Sequence, residues 1–330
     1  MNLSTFFNSV VGMYLTQSFC HSVIAAMITD RALKAWSIYD PLVRQRFRLI
    51  VILFPIVSFP LYQLINPARS SVLFRLDALF DVNRWLFLEI WGFIPVSLFF
   101  VLMFVATSLV FFFQEMLPVL RHTLDTEHPE HEGTHLDVDP FMGEASRRLS
   151  IKKPEVLLID DDSPILFSTT GKDAVIFVST GLSRALPPEQ MHAALAHELA
   201  HIARNQRPLL IAVFLLRIIM FFNPIVLVKF RRAVRDEEKI CDDIAVSLTQ
   251  NPAALAATLS VFYQKTDGPP EPDPRKLFRQ PVSLEEYSHN LHLGDRIRRL
   301  ETGADGRGER WGVPFLITLL TIAVLNYFIV

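Results

Sequence analysis

The stretch "MHAALAHELAHIARN", residues 191–205, sets His197 and His201 four residues apart with Glu198 directly after the first. Four residues is about one helical turn, so both imidazoles project from one face and can offer a nitrogen to the same ion. Glu198 is displaced from that face and is left to act as a base rather than a ligand. An HExxH arises by chance roughly one or two times in a hundred in a chain with 10 histidines, so its surroundings must carry the reading. A catalytic zinc needs three protein ligands and one open position for a water whose pKa falls to ~7. The motif supplies two ligands, and the third has to come from elsewhere.

The flanks on the N-terminal side are soluble in character. Short β-type runs, "EVLLID" at 155–160, "PILFST" at 164–169 and "AVIFVST" at 174–180, are separated by Asp-Asp-Ser-Pro and Thr-Gly-Lys-Asp turns and predict a short antiparallel sheet. "LPPEQ" then opens the motif helix, with Pro188 and Glu189 in a first turn where a missing N–H is harmless and negative charge is favoured. Further upstream, residues 122–139 are acidic and carry His122, His128, His131 and His135 without helical register, which reads as a solvated linker.

On the C-terminal side the third ligand comes into range. The extended motif with Gly at 204 and His at 207 is excluded by Arg204 and Arg207. "LLIAVFLLRIIMFF" at 209–222 is short for a span, contains Arg217 and is stopped by Asn223-Pro224. It predicts one arm of an apolar helical hairpin, 208–230, dipping into or lying along the membrane. Each arm is about 15 residues or ~22 Å at 1.5 Å per residue, so the chain returns to the level of the histidines carrying Asp236, Glu237, Glu238, Asp242 and Asp243. Glu238 and Asp242 are an i, i+4 pair, suited to one carboxylate binding metal while the other accepts the spare N–H of a ligand histidine.

The rest of the chain is made for a bilayer. Hydrophobic residues are 51 %, 27 of them Phe, and mean hydropathy is +0.31. Apolar stretches at about 4–29, 49–66, 87–113 and 311–330 predict four transmembrane helices. The first lacks the basic start and small-residue cleavage site of a secretory signal and is kept as a mature span, in which His21 reads as a helix–helix hydrogen-bonding residue. Residues 30–48 carry Arg31, Lys34, Arg44, Arg46 and Arg48, and the stretch before the last span carries Arg296, Arg298, Arg299, Arg307 and Arg310. Both therefore face the cytoplasm, and the catalytic segment between the third and fourth spans goes with them. A net charge of −2 leaves no basic field for nucleic acid. Two distant cysteines, Cys20 and Cys241, give no disulfide framework and fit a reducing compartment.

The fold class expected is mainly α and membrane-embedded: four transmembrane helices plus a cytoplasmic α+β zinc-protease domain with a short antiparallel sheet and a re-entrant hairpin. Its parts are the three spans within 1–113, an acidic His-containing linker and domain entry at 114–154, a peptidase domain at 155–265, a Pro-rich loop and helix completing it at 266–310, and a last span at 311–330.

"VSTGLSRALPPEQMHAALAHELAHIARN", "FFNPIVLVKFRRAVRDEEKICDDIAV" and "DRIRRLE" together resemble the membrane gluzincin peptidases, which include the HtpX, Ste24-type CAAX-prenyl and BlaR/MecR-type peptidases. "NPIV", "CDDIA" and the order of spans look closest to the BlaR/MecR type. Those receptors continue into an extracellular β-lactam-binding domain, whereas this sequence ends at Val330, so the expectation is an antirepressor-type peptidase without the sensor. By this resemblance His197, His201 and Glu238 hold one catalytic Zn²⁺, Glu198 is the general base and acid, and Asp242 steadies a ligand. A histidine before an Arg-Ile dipeptide stabilises the transition state in the HtpX-like group. Here His289 and His292 precede Arg296-Ile297 without matching the spacing, and Arg235 is the other candidate. Cys241 reads as a small buried thiol and His192 as a surface residue.

The function expected is a zinc endopeptidase acting on protein substrates at the cytoplasmic face of a prokaryotic inner or plasma membrane, in regulatory or quality-control proteolysis, with substrate adding as a strand beside "AVIFVST". Its partners are a protein or peptide substrate and the bilayer, with a separate sensor protein or a second copy to be considered. The rival readings are a sensor or scaffold with a structural metal site, and a CAAX-type or intramembrane processing protease. Retention of Glu198 weighs against the first, and the polar flanks "SRALPPEQ" and "RNQRP" weigh against intramembrane cleavage.

Overall fold

The computed structural model describes residues 3–117, 134–136, 139–169, 173–204, 213, 215–265, 293–303 and 311–330. The helices of ten residues or more are, in chain order, α1 (Val10–Ala35), α2 (Pro41–Ile65), α3 (Val96–Phe111), α4 (Asp139–Arg148), α5 (Pro188–Arg204), α6 (Pro224–Thr249), α7 (Pro252–Lys265), α8 (Leu293–Thr302) and α9 (Gly312–Tyr327). The chain divides into two compact units. One comprises Met1–Leu117, Ile211–Val234 and Gly306–Val330, and the other Pro118–Leu210 and Arg235–Asp305.

The first unit is an apolar helical assembly. Three helices, Val10–Ala35, Pro41–Ile65 and Val96–Gln114, are long and apolar enough to cross a membrane. The fourth predicted span is the 16-residue helix α9, about 24 Å at 1.5 Å per residue and so short of a ~30 Å hydrocarbon core. The first span starts later than its apolar run. Ser9 caps α1 by accepting from the Gly12 amide, and Gly12 lies so close under the preceding turn, Leu3–Phe7, that a Cβ would stand 2.2 Å from the Phe6 carbonyl oxygen. At the other end "DRALKA" carries the helix past the apolar limit at 29. Asp40 caps α2 through the amides of Leu42 and Val43, with Pro41 in the first turn. The third span also begins late. Trp91 and Gly92, both at positive φ, turn Glu89–Ile90 back on Ile94–Pro95, and helix starts only at Val96.

The hairpin turns at Asn223, whose side chain accepts from the amides of Ile225 and Val226 and bonds Ser22 of α1 at 2.9 Å. Its apolar residues Val213, Met220, Phe222, Val226 and Phe230 pack against Ile52 and Phe104 of α2 and α3. The hairpin therefore belongs with the apolar helices. His21 meets Ser58 of α2 at 2.7 Å, an interhelical hydrogen bond.

The second unit holds a four-stranded sheet: β1 (Thr134–His135), β2 (Glu155–Ile159), β3 (Leu166–Ser168) and β4 (Val175–Ser179), in the order β1-β2-β4-β3. The predicted all-antiparallel sheet is corrected here, because β2 and β4 pair in parallel, Glu155 opposite Val175 through Ile159 opposite Ser179. The cause is burial. "VIFVS" is the most apolar strand, with Ile176, Val178 and Ser179 fully buried, and it takes the centre, while the short β3 folds back antiparallel on its outer side. The end of the predicted linker is likewise ordered, with Thr134 and His135 adding β1 to the sheet. Gly181 starts the turn after β4 where a Cβ would fall 2.1 Å from the Asp162 carbonyl oxygen. One core, including Ile176, Val178, Leu182, Leu195, Leu199, Ala245, Leu255 and Leu300, joins the sheet to α5, α6, α7 and α8.

Candidate metal centre

Helix α5 buries Leu195, Ala196 and Leu199 in that core, which fixes the rotation of the helix and points His197 and His201 together toward α6. Their rings are nearly perpendicular, with centroids 4.8 Å apart, and their Nε2 atoms are 3.2 Å apart. Glu238 of α6 closes the triangle, with Oε2 3.6 Å from His197 Nε2 and Oε1 3.8 Å from His201 Nε2. Zinc ligands at ~2.0–2.2 Å in a tetrahedron stand about 3.3 Å apart, so this donor set fits a zinc ion. Among the described residues it is the group of His, Cys, Asp and Glu whose ligand atoms converge, all within 4.8 Å of one another. Glu198 is buried beside it and is not a member.

The acidic residues of α6 separate by partner. Glu237 takes a bidentate pair of hydrogen bonds from Arg204, at 2.5 and 2.8 Å, and Asp243 is bound by Arg299 at 2.7 Å. Glu238 and Asp242 are left facing the histidines. Asp242 Oδ1 lies 3.1 Å from His197 Nδ1, the position from which a carboxylate holds a ligand ring in one tautomer. Cys241 places Sγ 3.4 Å from His201 Nδ1. Consecutive residues of one helix thus address the outer nitrogens of the two imidazoles.

Arg296, on α8, was not picked out from the sequence. Fully buried, it donates Nε and Nη2 to the two oxygens of Asp242 at 2.8 and 2.7 Å and Nη1 to Glu238 Oε2 at 2.9 Å, and its Nη2 lies 3.4 Å from His197 Nε2. The available signal was spacing: Leu293, Arg296 and Leu300 form one buried stripe of α8, whereas Arg298 and Arg299 pair with Asp295 and Asp243. Arg235 lies about one turn before Glu238 and is half-buried. His289 and His292 lie outside the described residues. His192 is half-buried rather than at the surface, its ring stacked on Phe141 at 4.5 Å.

Electrostatics gives a second test of metal fit. Glu238 and Asp242 are buried against the Arg296 guanidinium, with Glu198 buried as well, and a divalent cation held by the converging donors would add positive charge where buried carboxylates need it. Burial pushes His197 down, yet hydrogen bonds with Asp242 and Glu238 raise it to about 9. Burial pushes the Asp242 carboxyl up, but the Arg296 charge, with hydrogen bonds from His197 and Arg296, holds it well below the carboxylate range. Burial raises Cys241 well above the usual thiol range, so it stands as a neutral thiol. Solvent reaches the centre from one side. The His201 side chain is 19 % exposed against 5 % for His197 and 2 % for Glu238.

Comparison with known proteins agrees with this geometry. Residues 91–253 match the family model described as BlaR1 peptidase M56. The chain is 36 % identical over 89 residues to the protein named protease HtpX of Chromohalobacter salexigens, covering 26 % of this chain and 30 % of the relative. It is 27 % identical over 191 residues to a protease HtpX homolog of Janthinobacterium, covering 49 % of this chain and 64 % of the relative. A third, a protease HtpX homolog of Persephonella marina, is 38 % identical over 64 residues, 19 % of this chain and 22 % of the relative. The chain thus spans less than two thirds of the length of each of these relatives. No solved structure matches significantly. The matched region contains both the two-histidine helix and the helix of Glu238 and Asp242, and these matches, together with the apolar helices of the first unit, support a likeness to membrane metallopeptidases of the HtpX/BlaR1 type.

Proposed function

We propose that the protein is a membrane-bound zinc endopeptidase that hydrolyses peptide bonds of protein substrates at the cytoplasmic face of a prokaryotic inner or plasma membrane, in regulatory or quality-control proteolysis. The observation that carries this reading is the convergence of His197, His201 and Glu238 beside a buried Glu198 that is not one of the converging donors. A zinc ion held there would supply Lewis acidity toward a scissile carbonyl and toward water. Glu198 takes a proton from the attacking water on its carboxylate and returns it to the leaving amine. Asp242 and Cys241 orient the two rings, and Arg296 keeps the Glu238 carboxylate turned toward them.

Three protein ligands with a solvent-reached side favour catalysis over a structural metal, whose sites are closed by four ligands. The substrate strand is placed differently from the sequence expectation. "VIFVS" is central, with β2 on one edge and β3 on the other, so an extended peptide adds to the outer edge of β3, Leu166–Ser168, where Leu166 packs on the same core as α5. The cytoplasmic orientation is supported by charge: one end of the first unit gathers Arg31, Lys34, Arg44, Arg46 and Arg48, whereas on 69–89 Arg69, Arg75 and Arg84 are matched by Asp77, Asp81 and Glu89. The short helix α9 serves as the fourth span by tilting little and drawing on the residues that flank it.

The test is hydrolysis of a denatured, fluorescently labelled protein by the full chain in proteoliposomes. Activity should vanish with a chelator, return with Zn²⁺, and be absent from a zinc-loaded Glu198→Gln variant. A zinc-loaded Glu198→Gln protein that cleaves as fast as wild type overturns the mechanism.

A further inference from the structure

We infer that the basic end of the apolar unit carries a binding site for the phosphate of an anionic phospholipid, built by Arg44, Arg48, Lys229 and Arg232. The inference rests on the membrane placement proposed above. Two of these cations share one carboxylate. Asp30, near the end of α1, receives Lys229 Nζ at 2.6 Å and stands 3.9 Å from an Arg232 Nη1. Arg48 donates to the Arg232 carbonyl oxygen at 2.7 Å, and the charges of Arg232 and Arg48 both bear on Lys229. Arg44 lies one turn before Arg48 on the same face of α2, and its Nε is buried with no hydrogen-bond partner among the described residues. Another acid at this end, Asp40, is used as the cap of α2. Among the described residues the cluster thus gathers cations with at least one unused donor, Arg44 Nε, which is what an anion needs.

The surroundings identify the anion's source. Trp36 and Tyr39, exposed by 42 % and 56 %, stand at the end of α1, and Trp311, which opens α9, lies under the Arg46 guanidinium at 4.4 Å. Tryptophan and tyrosine of this kind settle at the headgroup level of a bilayer. From that level apolar side chains such as Val57, Leu102 and Leu320 stay exposed along α2, α3 and α9, as expected of surface covered by acyl chains. A phosphodiester whose chains lie along those helices delivers its single negative charge to Arg44 and Arg232, and a guanidinium meets it with paired N–H donors.

The experiment reconstitutes the full chain in nanodiscs of phosphatidylcholine containing one-tenth phosphatidylglycerol, and measures by native mass spectrometry which lipids remain after release. Wild type should retain phosphatidylglycerol over phosphatidylcholine at about ten times their ratio in the disc. Arg44→Gln, and Arg44→Gln with Arg232→Gln, should lose most of that enrichment, Arg44→Lys should keep part of it, and Arg75→Gln with Arg84→Gln should leave it unchanged. Equal enrichment in the Arg44→Gln and double variants overturns the site. So does enrichment that appears only after Asp125→Asn, Glu127→Gln, Glu130→Gln and Glu132→Gln, since the cluster would then serve that acidic segment of the chain instead. Failure to enter nanodiscs at all would count against the membrane placement, and is separate from entry without lipid preference.

Discussion

Two of the fully buried arginines, Arg69 in the first unit and Arg296 in the second, show what distinguishes a structural polar cluster from a chemical one. Arg69 donates to the carbonyl oxygens of Asn326, Tyr327 and Ile329 at the end of α9 and to Gln17 Oε1, and lies over the Tyr62 ring. Its positive charge meets the negative end of a helix, and all its partners are neutral groups that hold one another in place. Arg296 donates to two full carboxylates, of which Glu238 belongs to a set of donors aimed at a common point and Asp242 faces the outer nitrogen of a ring in that set. The first cluster is closed. The second leaves lone pairs converging on one point, which is a reason to expect an ion there and chemistry beside it.

The sharpest way to break the comparison is to alter the chemistry alone. Glu198→Gln should keep about one zinc per chain, read by elemental analysis, while hydrolysis falls by roughly 10²–10⁴-fold or more, because the amide cannot take up a proton. Next comes ligand loss. His197→Ala, His201→Ala and Glu238→Ala should each leave the purified protein largely without zinc, whereas Glu237→Ala, which removes the carboxylate held by Arg204, should not. Zinc retained in Glu238→Ala and lost in Glu237→Ala would shift the register of α6 by one residue.

The two arginines then exchange readouts. Arg296→Ala should weaken zinc affinity on the order of 10–100-fold, as loss of an outer partner of the ligands does. Arg69→Ala should leave zinc affinity unchanged and lower the thermal unfolding midpoint in detergent, since it strips several buried carbonyls of their donor. A drop in zinc affinity from Arg69→Ala would erase the distinction drawn here. The smallest effect is expected at Cys241. Cys241→Ser keeps a polar group against His201 Nδ1 and should change zinc affinity by less than about tenfold, and Cys241→Val should exceed it while altering the visible spectrum of a Co²⁺-loaded protein.

Much of the centre was legible in the sequence because its determinants are local. The spacing of His197 and His201 on a helix, the Asn223-Pro224 stop and the acidic run at 236–243 depend on neighbours in the chain. The order of strands does not. Which of three apolar runs becomes central is settled by the burial it finds between two others, so "VIFVS" was rightly read as a strand and wrongly as an edge. Arg296 was hidden among the arginines of "DRIRRLE" because its role is decided by a face of α8 packing on α6, residues 54 apart. Helix limits moved for local reasons that apolarity does not record, the Ser9 cap in the first span and the Trp91-Gly92 turn in the third.

Helix α6 sets Glu238, Cys241 and Asp242 on a single rigid thread. A residue inserted just before Glu238 would turn these side chains by about 100° and advance them by ~1.5 Å relative to the preceding turns, moving ligand and both ring partners at once. Point substitutions in this helix can be graded, as the variants above are, but length cannot. In a collection of random single-codon insertions and deletions, the segment 231–242 should tolerate none without loss of zinc, even at positions where every amino-acid exchange is accepted.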